Sequence, residues 1–121
     1  MFDWIYYLDL ADSLVSQDNE SALRSAVSRA YYAAYNKALQ KLIDEGQISR
    51  QDPTESSKHL AIWKLYRDSS DSRRNQAGND GDRLRKSRVN ADYVADNEFV
   101  QRDASMKVRN ARDLYRRLDR L

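Results

Sequence analysis

The chain of 121 residues has no cysteine, one proline, three glycines and one histidine. Without cysteine there is neither a disulfide framework nor a thiolate metal site. That absence fits a reducing compartment, and the expected location is cytoplasmic. The lone His59 lacks the clustered His, Cys or carboxylate partners that metal catalysis uses, so neither a metal nor another cofactor is expected. Apolar runs extend only a few residues, whereas a membrane-spanning helix needs about 20, so no membrane partner is expected. The opening MFDWIYYLDLADS has no basic start and no small-residue cleavage site, which argues against a signal peptide. Gly78 and Gly81 lie in AGNDGD with no Lys-Ser/Thr after them, so a phosphate-binding P-loop is excluded. No serine stands at a strand-to-helix elbow of the hydrolase kind.

What is present is helical periodicity. So few breakers favour long helices joined by short loops, and a chain of this length can bury roughly two-thirds of its unfolded surface around one core. The expected fold is all-α: an antiparallel up-down bundle of four to five helices in a single domain, 1–121. A first helix is predicted from about Asp3 to Gln17, with Trp4, Ile5, Leu8, Ala11, Leu14 and Val15 along one stripe. Asn19 can cap a second, from about Glu20 to Asp44, where Leu23, Ala26, Val27, Ala30, Tyr31, Ala34, Tyr35, Ala38 and Leu42 recur at three- and four-residue steps. Gly46 suits its C-terminal end. A polar loop over 46–54 contains Pro53, with Thr54 or Ser56 available to cap a third helix, from about Glu55 to Arg67, that presents Leu60, Trp63 and Tyr66. Residues 68–82 (DSSDSRRNQAGNDGD) hold Ala77 as their only apolar side chain and read as a mobile loop. A fourth helix follows, from about Gly81 to Tyr93. A fifth runs from beyond Asp96 to about Asp119, with Val100, Ala104, Val108, Ala111, Tyr115 and Leu118 inward.

Charge is uneven along the chain. Residues 1–72 carry 8 Lys+Arg against 11 Asp+Glu, a net of −3, and residues 73–121 carry 13 against 8, a net of +5. Fifteen of the 21 basic residues are arginine, whose planar fork matches phosphate. The asymmetry therefore permits an RNA or nucleotide partner, although a solvated helix face laced with ion pairs has the same composition.

Two segments stand out. In Ser28-Arg29-Ala30-Tyr31-Tyr32-Ala33-Ala34-Tyr35 the small residues let a neighbouring helix approach while the tyrosines fill the remaining volume. Arg29, if buried there, needs a carboxylate such as Asp9 or Asp12. In Leu84-Arg85-Lys86-Ser87-Arg88-Val89-Asn90-Ala91-Asp92-Tyr93, spacings of three and four put Arg85, Arg88 and Asp92 on one helix face. Arg88 and Asp92 form either a simple ion pair, worth a few tenths of a kcal/mol when exposed, or the frame of a polar pocket with Asn90 or Tyr93 at its edge.

Taken in order, Ser28 to Tyr35, Ser57-Lys58-His59 and Arg88-Val89-Asn90-Ala91-Asp92-Tyr93 resemble the HEPN superfamily (higher eukaryote and prokaryote nucleotide-binding). The match is to the small bacterial branch with S-R-A-Y-Y-A-A-Y and R-x-x-A-D-Y motifs, and it spans nearly the whole chain. The resemblance implies a helical bundle that commonly forms a homodimer. It also implies a metal-independent endoribonuclease of a toxin–antitoxin or phage-defence system, its site at the dimer seam, with a cognate antitoxin as a further partner. Arg88 matches the family's active-site arginine. Val89 replaces the usual polar neighbour, and Asp92 or Tyr93 stands where that motif has histidine. The catalytic candidates are therefore Arg88, Asp92, Tyr93 and His59, with Arg85, Arg88 and Asn90 as RNA- or phosphate-binding residues. The alternative implied by the family is a non-catalytic module that binds nucleotide or a nucleotidyltransferase partner, with Tyr93 as the modified residue.

Overall fold

Two residues, Asp18 and Asn19, separate the first two helices, α1 (Ile5–Gln17) and α2 (Glu20–Asp44). The computed structural model describes residues 1–49 and 56–121. Asn19 accepts from the Ala22 amide at 2.9 Å, capping α2 as expected. At the other end Gly46 takes a positive φ, +75°. The Gly46 amide then donates to Ile43 and the Gln47 amide to Leu42, the paired bonds of a Schellman ending. Of the loop expected over 46–54, Pro53 and Thr54 lie outside the described residues, as does the Ser56 side chain.

Three more helices follow: α3 (Ser56–Arg67), α4 (Ser72–Tyr93) and α5 (Gln101–Asp119). Among the described residues there is no strand, and no helix is long and apolar enough to cross a membrane. Helix α2 lies at the centre and touches the other four. Cross-helix pairs give the directions. Asp3 meets Tyr115 while Gln101 meets Val15, so α1 and α5 are antiparallel. Arg24 meets Asn90 while Glu45 meets Arg74, so α2 and α4 are antiparallel too. Helices α2 and α3 run in the same sense, with Tyr31 against His59 and Ala38 against Tyr66.

The core follows the expected stripes. Leu8 and Ala11 of α1, the alanines of α2 with Tyr31 and Tyr35, and Val108, Ala111, Leu114 and Leu118 of α5 are buried. Ala26, Ala30, Ala33 and Ala34 are at most 1 % exposed, as close helix approach requires. Three placements differ from the periodic reading. Leu60 and Val100 are exposed, and Ile62 occupies the buried place beside Trp63 and Tyr66. Arg29 is also exposed, resting 5.4 Å from the Tyr7 ring centre. Asp9 and Asp12, offered above as its partners, pair with Arg112 of α5 instead, at 3.2 and 2.7 Å. An arginine at the helix surface stays hydrated and has no need of a buried carboxylate.

The larger correction concerns 68–82. Only Asp68 to Asp71 connect α3 to α4, and the stretch expected to be mobile supplies the first half of α4. Asp71 caps it, accepting from the Arg73 amide at 2.9 Å. The two glycines that read as breakers are packing residues. A Cβ on Gly78 would stand 2.6 Å from the Arg67 backbone nitrogen, and one on Gly81 would overlap the Trp63 ring. Their missing side chains let α4 lie directly on α3, and that contact offsets the roughly 1 kcal/mol helix penalty of each glycine.

Candidate functional site

Residues 24, 28, 31 and 35 of α2 fall four, three and four apart, so they share one face. That face meets the second half of α4 and the start of α3. Across it Ser28 donates to Asp92 Oδ2 at 3.2 Å. The Arg88 Nη1 stands 3.5 Å from the same oxygen, a long contact and a weak one. Arg88 is only 9 % exposed, and its Nε has no hydrogen-bond partner among the described residues. Its guanidinium instead faces three aromatic rings, 5.4 Å from the centre of Tyr32, 5.6 Å from Tyr31 and 5.9 Å from Tyr93. Cation–π contacts hold a desolvated guanidinium without consuming its N–H donors. Arg88 is thus a buried cation whose single carboxylate contact is long and whose Nε–H is unclaimed.

His59 completes the cluster from α3. Its Nδ1 lies 2.8 Å from Tyr31 Oη, which also receives the Trp63 Nε1–H at 3.0 Å. The imidazole stacks on Tyr35 with ring centres 4.1 Å apart. Burial first, and then the positive charges of Arg88 and Arg85, push the His59 pKa down to about 4. His59 is therefore uncharged at neutral pH. Burial also raises the phenols of Tyr31 and Tyr35, the latter to about 12 with a contribution from Tyr32. The Tyr35 hydroxyl, buried like Arg88 Nε, has no partner among the described residues.

Arg85 is engaged elsewhere. Its Nε donates to Asp82 at 2.9 Å, and Arg67 and Lys86 approach the same carboxylate at 3.7 and 3.5 Å. Burial works to raise the Asp82 pKa, but the Arg85 hydrogen bond and the three positive charges outweigh it and hold the carboxyl below its ordinary value. Asn90 does not join the cluster. Two residues past Arg88 is the far side of the helix, and Asn90 is exposed, giving its backbone carbonyl to Arg24. Tyr93 is 74 % exposed at the rim. Of the residues proposed from sequence, the fold thus gathers Arg88, Asp92, His59 and Tyr93, leaves Arg85 beside them in an ion pair, and sets Asn90 apart.

Sequence reasoning missed the supports. By spacing alone Tyr31 and Tyr35 are volume-filling residues, Trp63 is part of an apolar face and Ser28 is part of a motif, and nothing local marks Arg24. Arg24 Nη1 donates to the carbonyls of Asn90, Ala91 and Val94 at 3.0 to 3.2 Å, and Nη2 reaches those of Ala95 and Asn97. It closes the C-terminal end of α4, whose last carbonyls lack helical partners, and so steadies the turn that carries Asp92 and Tyr93. The shared face of 24, 28, 31 and 35 was the available signal. Among the described residues, no three His, Cys, Asp or Glu side chains gather as metal ligands.

Set against known proteins, the chain matches no family model, no curated protein and no solved structure. What the cluster does has to follow from its own chemistry. It offers a buried cation with a spare donor, a carboxylate able to accept a proton, an uncharged imidazole and an exposed phenol.

Proposed function

We propose that this chain is a HEPN-like protein that binds RNA through Arg88 and cleaves it without a metal ion, as a toxin or defence effector, with the site completed where two copies meet. One observation carries the reading: the 9 % exposed Arg88, held by aromatic rings and one 3.5 Å carboxylate contact, keeps an unpartnered Nε–H. A guanidinium in that state is receptive to a phosphate, which offers a stronger, charge-assisted bond than the one it has.

The neighbours suit attack by a ribose 2′-oxygen on the adjacent phosphorus. The Asp92 carboxylate takes the 2′-hydroxyl proton. Arg88 opposes the charge that gathers on the phosphoryl oxygens. The P–O5′ bond breaks, and the leaving 5′-oxygen takes its proton from the exposed Tyr93 phenol, which solvent restores. The products are a 2′,3′-cyclic phosphate and a 5′-hydroxyl end. With its pKa near 4, His59 is a poor proton donor at pH 7 and contributes a hydrogen bond.

Incubating purified protein with labelled RNA in EDTA tests this. Cleavage is expected, and Arg88→Ala should lower it by about 100-fold or more, the scale of losing a preorganised charge at a reacting centre. Cleavage equally strong in the Arg88→Ala protein would sink the reading.

The 74 % exposure of Tyr93 beside Arg88 favours a second reading. In it the chain is a non-catalytic module whose Tyr93 phenol accepts a nucleotidyl group from a partner transferase, with Arg88 steering the phosphate. Intact-mass measurement after co-expression with a candidate partner would show added nucleotide mass, abolished by Tyr93→Phe.

A further inference from the structure

The bonds behind His59 restrict what its imidazole can do. Trp63 is fully buried and its indole N–H can only donate, so the 3.0 Å contact makes Tyr31 Oη an acceptor there. Tyr31 Oη also contacts His59 Nδ1 at 2.8 Å, and Tyr31 too is fully buried. Two arrangements are conceivable. If Nδ1 carried the proton, Tyr31 would accept twice and its own O–H would be left with no acceptor, a buried unsatisfied donor that disfavours this arrangement about 5- to 150-fold. If Tyr31 donates to a bare Nδ1, every group in the chain of bonds is satisfied. The second arrangement wins by that margin.

We infer that Trp63 and Tyr31 form a hydrogen-bond relay that fixes His59 as the Nε2–H tautomer, so that His59 meets a bound phosphate as a hydrogen-bond donor and not as a proton acceptor. Tyr31 and Trp63 are then positioning residues for the site. The tautomer follows from the protein alone, whereas the phosphate as its recipient rests on the RNA reading above. The relay puts the proton-accepting work of the cluster on Asp92, the carboxylate that Ser28 and Arg88 already hold in place. It also adds a donor beside two buried ones, Arg88 Nε–H and the Tyr35 hydroxyl, that have no partner among the described residues. Around the imidazole stand Tyr31, Tyr32 and Tyr35 of α2, with Arg88 and Arg85 of α4 contributing positive charge. A charged His59 is disfavoured by the two arginines, which reinforces the donor-only form at neutral pH.

Because His59 is the only histidine, long-range proton–nitrogen NMR on histidine-labelled protein reads its tautomer without assignment. The expected result at pH 7 is a protonated Nε2 and a bare, hydrogen-bonded Nδ1. Tyr31→Phe keeps the ring and removes only the hydroxyl. It should shift the Nδ1 resonance toward that of an unbonded nitrogen. A proton on Nδ1 in the wild-type protein overturns the relay, and so does a folded Tyr31→Phe protein with unchanged nitrogen shifts. If Tyr31→Phe does not fold, the wild-type tautomer decides alone. RNA binding gives an independent arm. His59→Gln, whose amide can still donate, should stay within about threefold of wild type, while His59→Ala should lose about tenfold, the worth of one hydrogen bond to an anion. Equal loss in both variants would overturn the donor role. An Nε2–H tautomer in a protein that binds no RNA would leave the relay standing and remove the RNA reading.

Discussion

Helices α4 and α5 both pack on α2, yet they bring opposite chemistry to it. The buried face of α5 is Ala104, Val108, Ala111, Leu114, Tyr115 and Leu118. The buried positions of α4 are Ala77, Gly78, Gly81, Asp82, Leu84, Arg88 and Ala91. The first face works by area removed from water, about 25 cal/mol per Å² of apolar surface. Ion pairs such as Arg112 with Asp9 and Asp12 only decorate its outer edge. The second face presses bare backbone against α3 and carries a carboxylate and a guanidinium inward, each needing partners to be tolerated there. Asp82 has three basic neighbours, whereas Arg88 has rings and one long contact. The difference teaches where to look for chemistry: an apolar seam is satisfied by packing alone, whereas an under-satisfied buried cation is the place to test for a ligand.

Breaking each side tests the contrast. The largest effect is expected from Leu114→Ala on the apolar side, about 2–5 kcal/mol lost in urea unfolding, because a fully buried leucine leaves a cavity. Gly81→Ala on the other side should cost about 1–3 kcal/mol by the same measurement, since the new methyl displaces Trp63. A Gly81→Ala protein as stable as wild type would disprove close α3–α4 packing. Arg24→Ala should cost about 1–3 kcal/mol, the scale of bonds from a charged donor. It should also speed hydrogen exchange near the end of α4, which an effect spread over the whole bundle would not single out.

The two sides should also part in acid. The folded His59 titrates near 4, below its ordinary 6.5, so the unfolded chain takes up the proton first. Stability from the uncharged imidazole is therefore full above about 6.5 and drains away as pH falls toward 4. His59→Gln should flatten the fall in urea midpoint between pH 7 and 4.5, and an unchanged slope would contradict the depressed value. The depressed carboxyls of Asp3, Asp71 and Asp82 act lower, their stabilisation being lost as pH drops below the ordinary 3.8. The smallest effect is expected from Arg112→Ala, about 0–1 kcal/mol, because its partners Asp9 and Asp12 are more than half exposed.

The legible parts of the chain were those governed by local rules. Helix α2 showed in its three- and four-residue steps, its Asn19 cap and its Gly46 ending, each of which acts within a turn or two of the residue concerned. Helix α5 showed in the spacing of Ala104, Val108 and Ala111. The first half of α4 did not show. Its sequence is polar, and its glycines act on a different helix, so no window along the chain contains both Gly81 and the Trp63 ring that explains it. The site was legible to the same degree. Arg88 and Asp92 share a helix face by spacing, and His59 stood out by being alone.

The sequence by itself determined an all-helical chain, the position of its apolar seams and a cationic second half, because helix periodicity, capping and charge are properties of neighbouring residues. Only the tertiary structure decided that α4 starts at Ser72, that Arg29 faces solvent while Arg88 is buried, and that His59 sits against Tyr31 and Tyr35 within reach of the Arg88 charge. Those outcomes depend on residues up to several dozen positions apart meeting across packed helices, where burial, shared hydrogen bonds and low dielectric set the character of each group.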